Sequence, residues 1–362
     1  MRKELVSYSR IRALLACPYR YNLVYNKNIT PRVDDRTPTL GSAGHAGLAA
    51  GILGRNVDEA LEAWAQDYLD KHLVRYPESE DTMTEDEISF VGEVTEDMNS
   101  VITTMTDEVK HTASLIVPRA LEALHLDEWE TIEYRGVPLV EAKFIIPIEG
   151  WMGYTAVIDW VARHRPTNMT WLIDHKFRKT LQSDDLEEFN LQMSSYQYVL
   201  GVLGIRTVGS MANQILTKLP TLPSRNKDGT MSRARISSTW EVYKGALLAA
   251  GLDPEDYLDM KDKLTTEFFR HSYSYRSELE VANTWENLIK RSALAMNDEN
   301  YPYLRNLGSL GCRNCWARDY CMEELRGGDL DYMLRTQFMV RPERTIDENE
   351  RVIIFREEEG SE

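Results

Sequence analysis

Two apolar runs of this sequence each carry an aspartate at a position where a buried strand is expected. The first run reads AVIDWVA and contains Asp159, and the second reads TWLIDHKF and contains Asp174. β-Branched and aromatic residues dominate both runs, which predicts strands. An unpaired ionised carboxylate in a sheet interior costs many kcal/mol. Two of them on neighbouring strands therefore need cations or hydrogen-bond donors to hold them.

The segment between the two runs, HRPTNM, contains a proline and an asparagine that favour a hairpin turn. A hairpin would place Asp159 beside Asp174. Because side chains alternate along a strand, Asp174 and Lys176 should project to one face and His175 to the other. Two clustered carboxylates attract a divalent metal, and an adjacent lysine can orient or help deprotonate a water bound to it. The alternative is two strands with a structural ion pair, since D-x-K is common by chance.

Composition narrows the class of protein. The chain has 362 residues, enough for two domains or one decorated domain. Its formal net charge of -16 argues against a protein that coats nucleic acid, because phosphate neutralisation needs clustered lysine and arginine. Basic patches remain near Lys176 and in the polar loop over residues 219–235, where a solvated surface is the alternative. The sequence shows no long apolar run and no signal-peptide pattern, so we expect a cytoplasmic protein without a membrane partner.

The first 55 residues predict helices. SYSRIRALLAC reads as a serine-capped amphipathic helix that ends at Cys17, and the tyrosines of the following YRYNLVYN would serve core packing or base stacking. A second helix, LGSAGHAGLAAGILG, has glycines that permit close approach to a sheet, with His45 in its middle. It lacks the lysine of a phosphate-binding loop. A lone histidine among small residues is usually a core residue, so the pattern alone does not decide whether His45 is a core residue or a metal ligand.

The remaining chain predicts a helical insertion, a mixed core and further helices. Residues 56–132 are helical and acidic. Alternating patterns then predict strands over residues 137–148, 154–163 and 170–177. A helix is expected over residues 184–203, a fourth strand over 208–218 and helices over 238–297. Glu141 in the first strand is a weak candidate for a further acid of the site, because a lone strand glutamate is more often an edge or surface residue. Gln192 and Tyr196 share a helix face and could be ordinary helix residues.

The four cysteines are unevenly placed. Cys17 stands alone near the start, and a C-x2-C-x5-C pattern near the other end contains Cys312, Cys315 and Cys321. In an intracellular protein this favours metal or redox chemistry over disulfides. Four thiolates could bind zinc, although a second local C-x2-C is missing. Free thiols are the other alternative.

These features resemble the PD-(D/E)XK nuclease superfamily, and most closely its RecB-type exonuclease branch. The resemblance covers residues 7–321 and rests on D-x14-D-x-K, on the G-x3-H that ends at His45, and on a Q-x3-Y helix that reads QMSSY here. It implies a restriction-endonuclease-like α/β fold, with a mixed central sheet flanked by helices, a helical insertion and an iron-sulfur-stapled C-terminal region. It also implies a metal-dependent DNA exonuclease of recombination, repair or phage DNA metabolism.

The resemblance also assigns roles to individual positions. The implied catalytic residues are Asp159, Asp174, Lys176, Gln192 and Tyr196. The implied ligands of one or two Mg²⁺ or Mn²⁺ ions are His45, Asp159, Asp174 and the backbone carbonyl of His175. Lys176 would act at the attacking water, and Gln192 and Tyr196 would position the strand. His175 stands where the family commonly has an aromatic residue, and its imidazole would add local positive charge.

The cysteine pattern resembles that of AddB-type nuclease domains and of the iron-sulfur exonucleases of CRISPR adaptation. This similarity implies one 4Fe-4S cluster, whose ligands would be Cys17, Cys312, Cys315 and Cys321. Such a cluster would act as a staple between the chain ends, since closing a long loop removes much unfolded-chain entropy.

DNA, single-stranded or with free ends, is the implied partner. A single-strand annealing protein or a helicase would be a further partner, because the sequence has no helicase motif. The rival interpretation is a non-catalytic DNA-end-binding or scaffold subunit of a recombination or CRISPR spacer-acquisition complex, but the intact acid-acid-lysine set favours catalysis. We divide the chain at the following boundaries: N-terminal helices 1–55, insertion 56–132, nuclease core 133–220, loop, helices and cysteines 221–327, and a tail with one short strand 328–362.

Overall fold

A mixed sheet of eight strands forms the centre of the protein. The computed structural model describes residues 5–31, 40–73, 85–149, 152–264, 267–298, 300–307, 310–341 and 352–354. The strands are β1 Leu5–Ser7, β2 Ile29–Pro31, β3 Trp129–Thr131, β4 Glu133–Tyr134, β5 Val137–Pro138, β6 Val140–Glu149, β7 Met152–His164, β8 Met169–Arg178, β9 Gly209–Leu216, β10 Phe269–Ser274, β11 Phe338–Val340 and β12 Val352–Ile354. The helices are α1 Tyr8–Ala16, α2 Pro18–Tyr21, α3 Leu40–Ile52, α4 Val57–His72, α5 Glu85–Ala123, α6 Asp185–Glu188, α7 Leu191–Val202, α8 Trp240–Ala249, α9 Glu278–Thr284, α10 Arg291–Met296, α11 Leu310–Arg313, α12 Arg318–Arg326 and α13 Leu330–Thr336.

The main sheet has the strand order β10-β9-β8-β7-β6-β12, and β1 and β3 pair with opposite ends of β7. β6, β7 and β8 are antiparallel neighbours, whereas β8 and β9 are parallel and are joined through α7. A parallel pair needs such a crossover connection. The predicted order of three strands, a helix and a fourth strand is confirmed, and with it the restriction-endonuclease-like fold class.

Two hydrophobic cores lie on the two faces of the sheet. One core includes Tyr154, Met193 and Trp285 and is covered by α1, α7 and α10. The other includes Leu48 and Trp160 and is covered by α3 and α5. Helix α3 lies so close to the sheet that a Cβ atom at Gly44 would be 2.1 Å from the Phe177 ring, so only glycine fits at this position. The predicted role of the glycines in this helix is thereby confirmed.

The helix predicted over residues 184–203 is interrupted. α6 ends at Glu188 and α7 begins at Leu191. Between them the Arg276 guanidinium donates to the carbonyl oxygens of Glu187 and Asn190, at 2.7 and 3.2 Å. Each of these carbonyls also accepts a backbone N–H from three residues further on, Asn190 and Met193, so the chain forms turns here and not the i to i+4 bonds of a continuous helix. The prediction of one continuous helix was therefore wrong.

The helical prediction over residues 238–297 missed β10, which pairs antiparallel with β9 at one edge of the sheet. Its inward-facing side chains include Ser272 and Ser274, both buried. Serines carry no apolar alternation, so the period-2 signal of a strand is absent from this segment.

The chain after residue 328 contains α13 and β11 in addition to the predicted short strand, which is β12. β11 pairs with β2 near the start of the chain, and β12 pairs with the edge strand β6. The acidic end beyond β12 lies outside the described residues. None of the helices in the described ranges is both long enough and apolar enough to cross a membrane.

Candidate active site

The two predicted aspartates lie side by side where β7 and β8 separate. The strands pair from His164–Met169 to Trp160–Ile173, and the next step of this register places Asp159 opposite Asp174. There the Asp159 Oδ2 accepts a hydrogen bond of 2.7 Å from the backbone N–H of His175. The predicted hairpin and the pairing of the acids are therefore confirmed.

Glu141 joins this pair through an irregularity in β6. Its φ of +46° lies in the left-handed region, which is rare for a residue with a side chain. The residues that flank Glu141, Val140 and Ala142, belong to the cores on opposite faces of the sheet. In a regular strand, residues two positions apart face the same side, so the alternation of side chains is broken at Glu141. The irregularity falls opposite Asp159 in the β6–β7 register. Such backbone strain clusters at functional sites.

Helix α3 brings His45 to the two carboxylates. The His45 Nδ1 lies 2.9 Å from Glu141 Oε1 and 3.5 Å from Asp159 Oδ2. One ligand atom from each of these three residues lies within 4.8 Å of the others, a spacing suited to a metal ion. The imidazole is 28% exposed, so it is not enclosed in the core. Ligation of a metal by His45 stays a prediction.

Asp174 and Lys176 form a close pair beside this group. The Lys176 Nζ donates to Asp174 Oδ1 at 2.9 Å and lies 2.8 Å from Oδ2, where the hydrogen-bond geometry is poor. The Asp174 side chain is 3% exposed. The prediction that both side chains share one face is confirmed. Asp174 stands outside the three-residue group, and ligation by it and by the His175 carbonyl stay predictions.

The model of one protein family matches almost the whole chain, over residues 5–322, and that family is the PD-(D/E)XK nuclease superfamily. The chain belongs to the PD-(D/E)XK nuclease superfamily. A search of curated proteins found no match. The metal-dependent chemistry of the superfamily agrees with the convergence of an imidazole and two carboxylates in this nuclease.

The charges of the nuclease site are poorly balanced without a cation. Burial lowers the pKa of His45, but the carboxylates of Asp159 and Glu141 outweigh it and raise that pKa to about 9. Burial raises the pKa of Asp159 to about 7 and also raises that of Asp174. Burial lowers the pKa of Lys176, and the Asp174 carboxylate more than compensates. Three acids thus share two bases, an arrangement that a divalent cation would relieve.

The His175 imidazole lies on the opposite side of β8 from Lys176. It stacks on Trp160 with a centroid distance of 6.3 Å, and its Nδ1 lies 3.2 Å from the Asn213 amide nitrogen. Burial lowers the pKa of His175 to about 3. The expectation that this imidazole adds positive charge was therefore wrong, because a buried imidazole without a carboxylate stays neutral.

Gln192 and Tyr196 of the nuclease share the helix face that the sequence indicates. The Gln192 Nε2 donates to the Tyr196 hydroxyl at 2.8 Å. Tyr196 is buried, and burial raises its pKa, so the phenol stays protonated. The negative charges of Asp159 and Asp174 also raise the pKa of Tyr196. Contact of this pair with a DNA strand stays a prediction.

Sequence reasoning missed two residues that hold α7 in place. The buried Glu187 carboxylate pairs with Arg178 at 2.7 Å and accepts from Asn190 at 3.2 Å. Arg276 binds the carbonyls around Glu187, as described above, and also the buried Ser210 hydroxyl at 2.8 Å. Arg276 lies in a segment predicted to be helical, with no local signal that links it to the site.

The four cysteines meet at a junction of the two chain ends. Cys17, Cys315 and Cys321 pack in one cluster with Tyr19. The Cys312 Sγ bonds to the Asn306 carbonyl at 3.3 Å. The Asn306 amide in turn donates to the carbonyl of residue 16 at 2.9 Å. All four thiols are free of disulfides and partly exposed.

Proposed function

We propose that this nuclease is a divalent-metal-dependent deoxyribonuclease that degrades DNA from free ends. The observation that supports it most is the convergence of His45, Glu141 and Asp159 beside the Asp174–Lys176 pair. One imidazole with carboxylates suits Mg²⁺ or Mn²⁺, and a nitrogen ligand makes manganese acceptable. When bound, such an ion would neutralise the scissile phosphate and the leaving oxygen.

Three residues would hold the metal through side chains that already converge: His45, Glu141 and Asp159. Asp174 and the His175 carbonyl are the further ligands that the sequence predicts. The Asp159 carboxylate is fixed by the backbone N–H of His175, so it needs little rearrangement to act as a ligand.

Lys176 would hold the attacking water or a phosphate oxygen by donating a hydrogen bond. The Asp174 carboxylate raises the pKa of Lys176, so the ammonium stays charged at neutral pH. A charged ammonium donates and does not accept a proton. The pair therefore favours orientation of the water by Lys176 over removal of its proton.

We also propose that Cys17, Cys312, Cys315 and Cys321 hold one 4Fe-4S cluster. The support is the packing of Cys17, Cys315 and Cys321 in one cluster, with Cys312 bonded to the Asn306 that contacts residue 16. An all-thiolate donor set suits such a cluster. Its main role would be structural, because it would close a loop of nearly the whole chain.

The biological setting follows the resemblance to RecB-type exonucleases. We propose cytoplasmic action in recombination, repair or phage DNA metabolism, on single strands or DNA ends. An annealing protein or a helicase would supply or receive the strand, because the sequence contains no helicase motif.

The test is a cleavage assay on end-labelled and internally labelled DNA, with Mg²⁺, with Mn²⁺ and with chelator. We expect stepwise loss of nucleotides from one end that requires either metal. An Asp174→Asn protein serves as the matched control for contaminating nuclease. Binding of DNA ends without any metal-dependent loss of nucleotides would instead assign the protein to the scaffold alternative.

A further inference from the structure

Two segments from opposite ends of the chain contain no acidic residue. In the whole protein 58 of 362 residues are aspartate or glutamate, yet residues 5–31 and residues 300–318 contain none. We call the surface formed by the described residues of these two segments, 5–31, 300–307 and 310–318, the acid-free face. The segments carry seven lysines and arginines, which are Arg10, Arg12, Lys27, Arg20, Arg305, Arg313 and Arg318.

The structure joins the two segments into one surface. The backbone N–H of Tyr19 donates to the carbonyl of Leu304 at 3.1 Å. The Asn306 amide donates to the carbonyl of Ala16 at 2.9 Å, and the Cys312 Sγ bonds to the Asn306 carbonyl at 3.3 Å. The concentration of positive charge is therefore a property of the folded protein, although its two parts are almost 300 residues apart in sequence.

Three of the seven basic side chains form contacts within the protein. Arg10 donates to the carbonyl of Leu5 at 2.6 Å, and Arg305 and Lys27 both lie against the carboxylate of Glu324. The other four form no ion pair with any residue in the described ranges, and they are Arg12, Arg20, Arg313 and Arg318. Of these, Arg12, Arg313 and Arg318 are exposed to solvent.

Helix α1 connects this face to the catalytic centre. Strand β1 pairs with β7 up to Ser7 opposite Thr155, four residues before Asp159, so α1 begins beside the strand that carries the first acid. The far end of the helix leads into Cys17. A helix of nine residues is about 13 Å long. Arg12, in the middle of α1, thus lies between the strand that carries Asp159 and the cysteine junction.

The tyrosines of the face are used for packing. Tyr19 and Tyr21 are buried, and the ring of Tyr21 lies 5.0 Å from that of Tyr25. Tyr21 also stacks on Tyr303 at 6.2 Å. The base-stacking interpretation of this tyrosine-rich stretch therefore finds no support. Contacts made through the arginines would address phosphates and carry no sequence preference.

We propose that the acid-free face binds the phosphate backbone of a single strand whose end lies at the catalytic centre, through Arg12, Arg313 and Arg318. The inference rests on the proposed function for the identity of the strand as DNA. In a protein of formal net charge -16, a basic track beside the catalytic centre would attract a polyanion to this path over the negatively charged surface elsewhere.

The experiment compares two triple variants of equal charge change. One is Arg12→Gln/Arg313→Gln/Arg318→Gln, and the matched control replaces three exposed arginines outside the face, Arg55→Gln/Arg135→Gln/Arg206→Gln. Both are made in an Asp174→Asn background, so binding is read without cleavage. Fluorescence anisotropy of a labelled single strand of about 16 nucleotides gives the dissociation constant over a range of salt concentrations.

We expect the slope of log K against log salt to fall by about 2 for the face variant, since each lost phosphate contact removes about 0.7. The control variant should keep the slope of the parent protein. An unchanged slope in the face variant, or an equal loss in the control, would overturn the proposal. Circular dichroism of both variants verifies that these exposed substitutions leave the fold intact.

A second arm separates nucleic acid from an anionic membrane surface. Vesicles containing phosphatidylserine should not bind the parent protein. If they bind the parent protein but not the face variant, the face is a lipid-binding surface and the proposal is overturned. Failure of the proposed function has a different signature. DNA binding with the expected slope change, without any cleavage by the wild-type protein, would keep the face and reject the exonuclease. Cleavage by the wild-type protein, together with an unchanged salt slope in the face variant, would keep the exonuclease and reject the face.

Discussion

The carboxylate of Asp159 is hydrogen-bonded to the backbone N–H of His175, with 2.7 Å between Oδ2 and the nitrogen. This bond forms just beyond the last paired residues of β7 and β8, Trp160 and Ile173. It ties the first acid to the strand that carries the second acid and the lysine. The contact holds the Asp159 carboxyl group against the backbone of the hairpin, so this backbone sets the arrangement of the two acids.

Loss of the Asp174–Lys176 pair should abolish cleavage. We expect Lys176→Ala and Asp174→Ala each to lower the rate by about 10² to 10³ or more, because a preorganised charge is removed from the reacting centre. Lys179→Ala is the control, since Lys179 is exposed just beyond the same strand. Thermal denaturation should show a folded protein in each case. Near-wild-type cleavage by either site variant would remove the proposed site.

Glu141 should be required for metal binding. Glu141→Gln keeps the size of the side chain and removes its charge, so the Mn²⁺ concentration at half-maximal activity should rise by at least roughly tenfold. Glu133→Gln, at an exposed position on the neighbouring β4, is the matched control. If both variants share the wild-type activation curve, the strained glutamate has another role.

Metal binding should strengthen as the pH rises. The carboxylates raise the pKa of His45 to about 9 from its usual 6.5, and burial raises that of Asp159 to about 7 from 3.8. Both groups thus hold protons near neutral pH that a metal must displace, and this competition fades as the pH approaches 9. Calorimetric titration with Mn²⁺ at several pH values should show increasing affinity.

The same titration tests His45 directly. His45→Ala should weaken Mn²⁺ binding more than it weakens DNA binding, and the steepness of the pH dependence between about 7 and about 9 should decrease, because one competing proton is gone. If the variant has the wild-type affinity for Mn²⁺ and the wild-type pH profile, His45 is a core residue and not a metal ligand.

Arg276 should stabilise the fold and position α7. Arg276→Met removes the guanidinium hydrogen bonds to the Glu187 and Asn190 carbonyls and to the Ser210 hydroxyl, so the free energy of unfolding should fall by about 3 kcal/mol. Cleavage should slow while Mn²⁺ activation stays normal. The control is Arg163→Met, whose exposed pair with Glu130 spans 3.5 Å and should be worth less than about 1 kcal/mol. Equal denaturation curves for the two variants would contradict this account.

Anaerobically purified protein should be brown and contain about four irons per chain, as a 4Fe-4S cluster on four thiolates requires. Cys17→Ser and Cys312→Ser should each lose the cluster and about 3–5 kcal/mol of stability, if loop closure is its main contribution. Tyr19→Phe removes a 2.6 Å hydrogen bond to Glu324 at the same junction but no sulfur, so it should keep its iron. A colourless protein with one zinc per chain would replace the cluster by a zinc site, and full iron content in Cys17→Ser would exclude that ligand.

The sequence alone determined the central strands, their order and the pairing of Asp159 with Asp174. These follow from local rules, because alternation and turn residues act over a few neighbouring positions. The shared face of Asp174 and Lys176 follows from the same alternation and needs no tertiary information.

Tertiary structure decided what completes the site. Glu141 becomes a candidate ligand because a left-handed backbone position opposite Asp159 turns its carboxylate toward His45, and no local pattern encodes that. Likewise, β10 was hidden because its buried positions are serines, and Arg276 reaches α7 from almost 90 residues away. Long-range hydrogen bonds and charge pairs depend on which segments the fold brings together. Sequence patterns reflect interactions between residues a few positions apart. The sequence therefore located the site but did not identify the residues that the fold brings to it from distant segments.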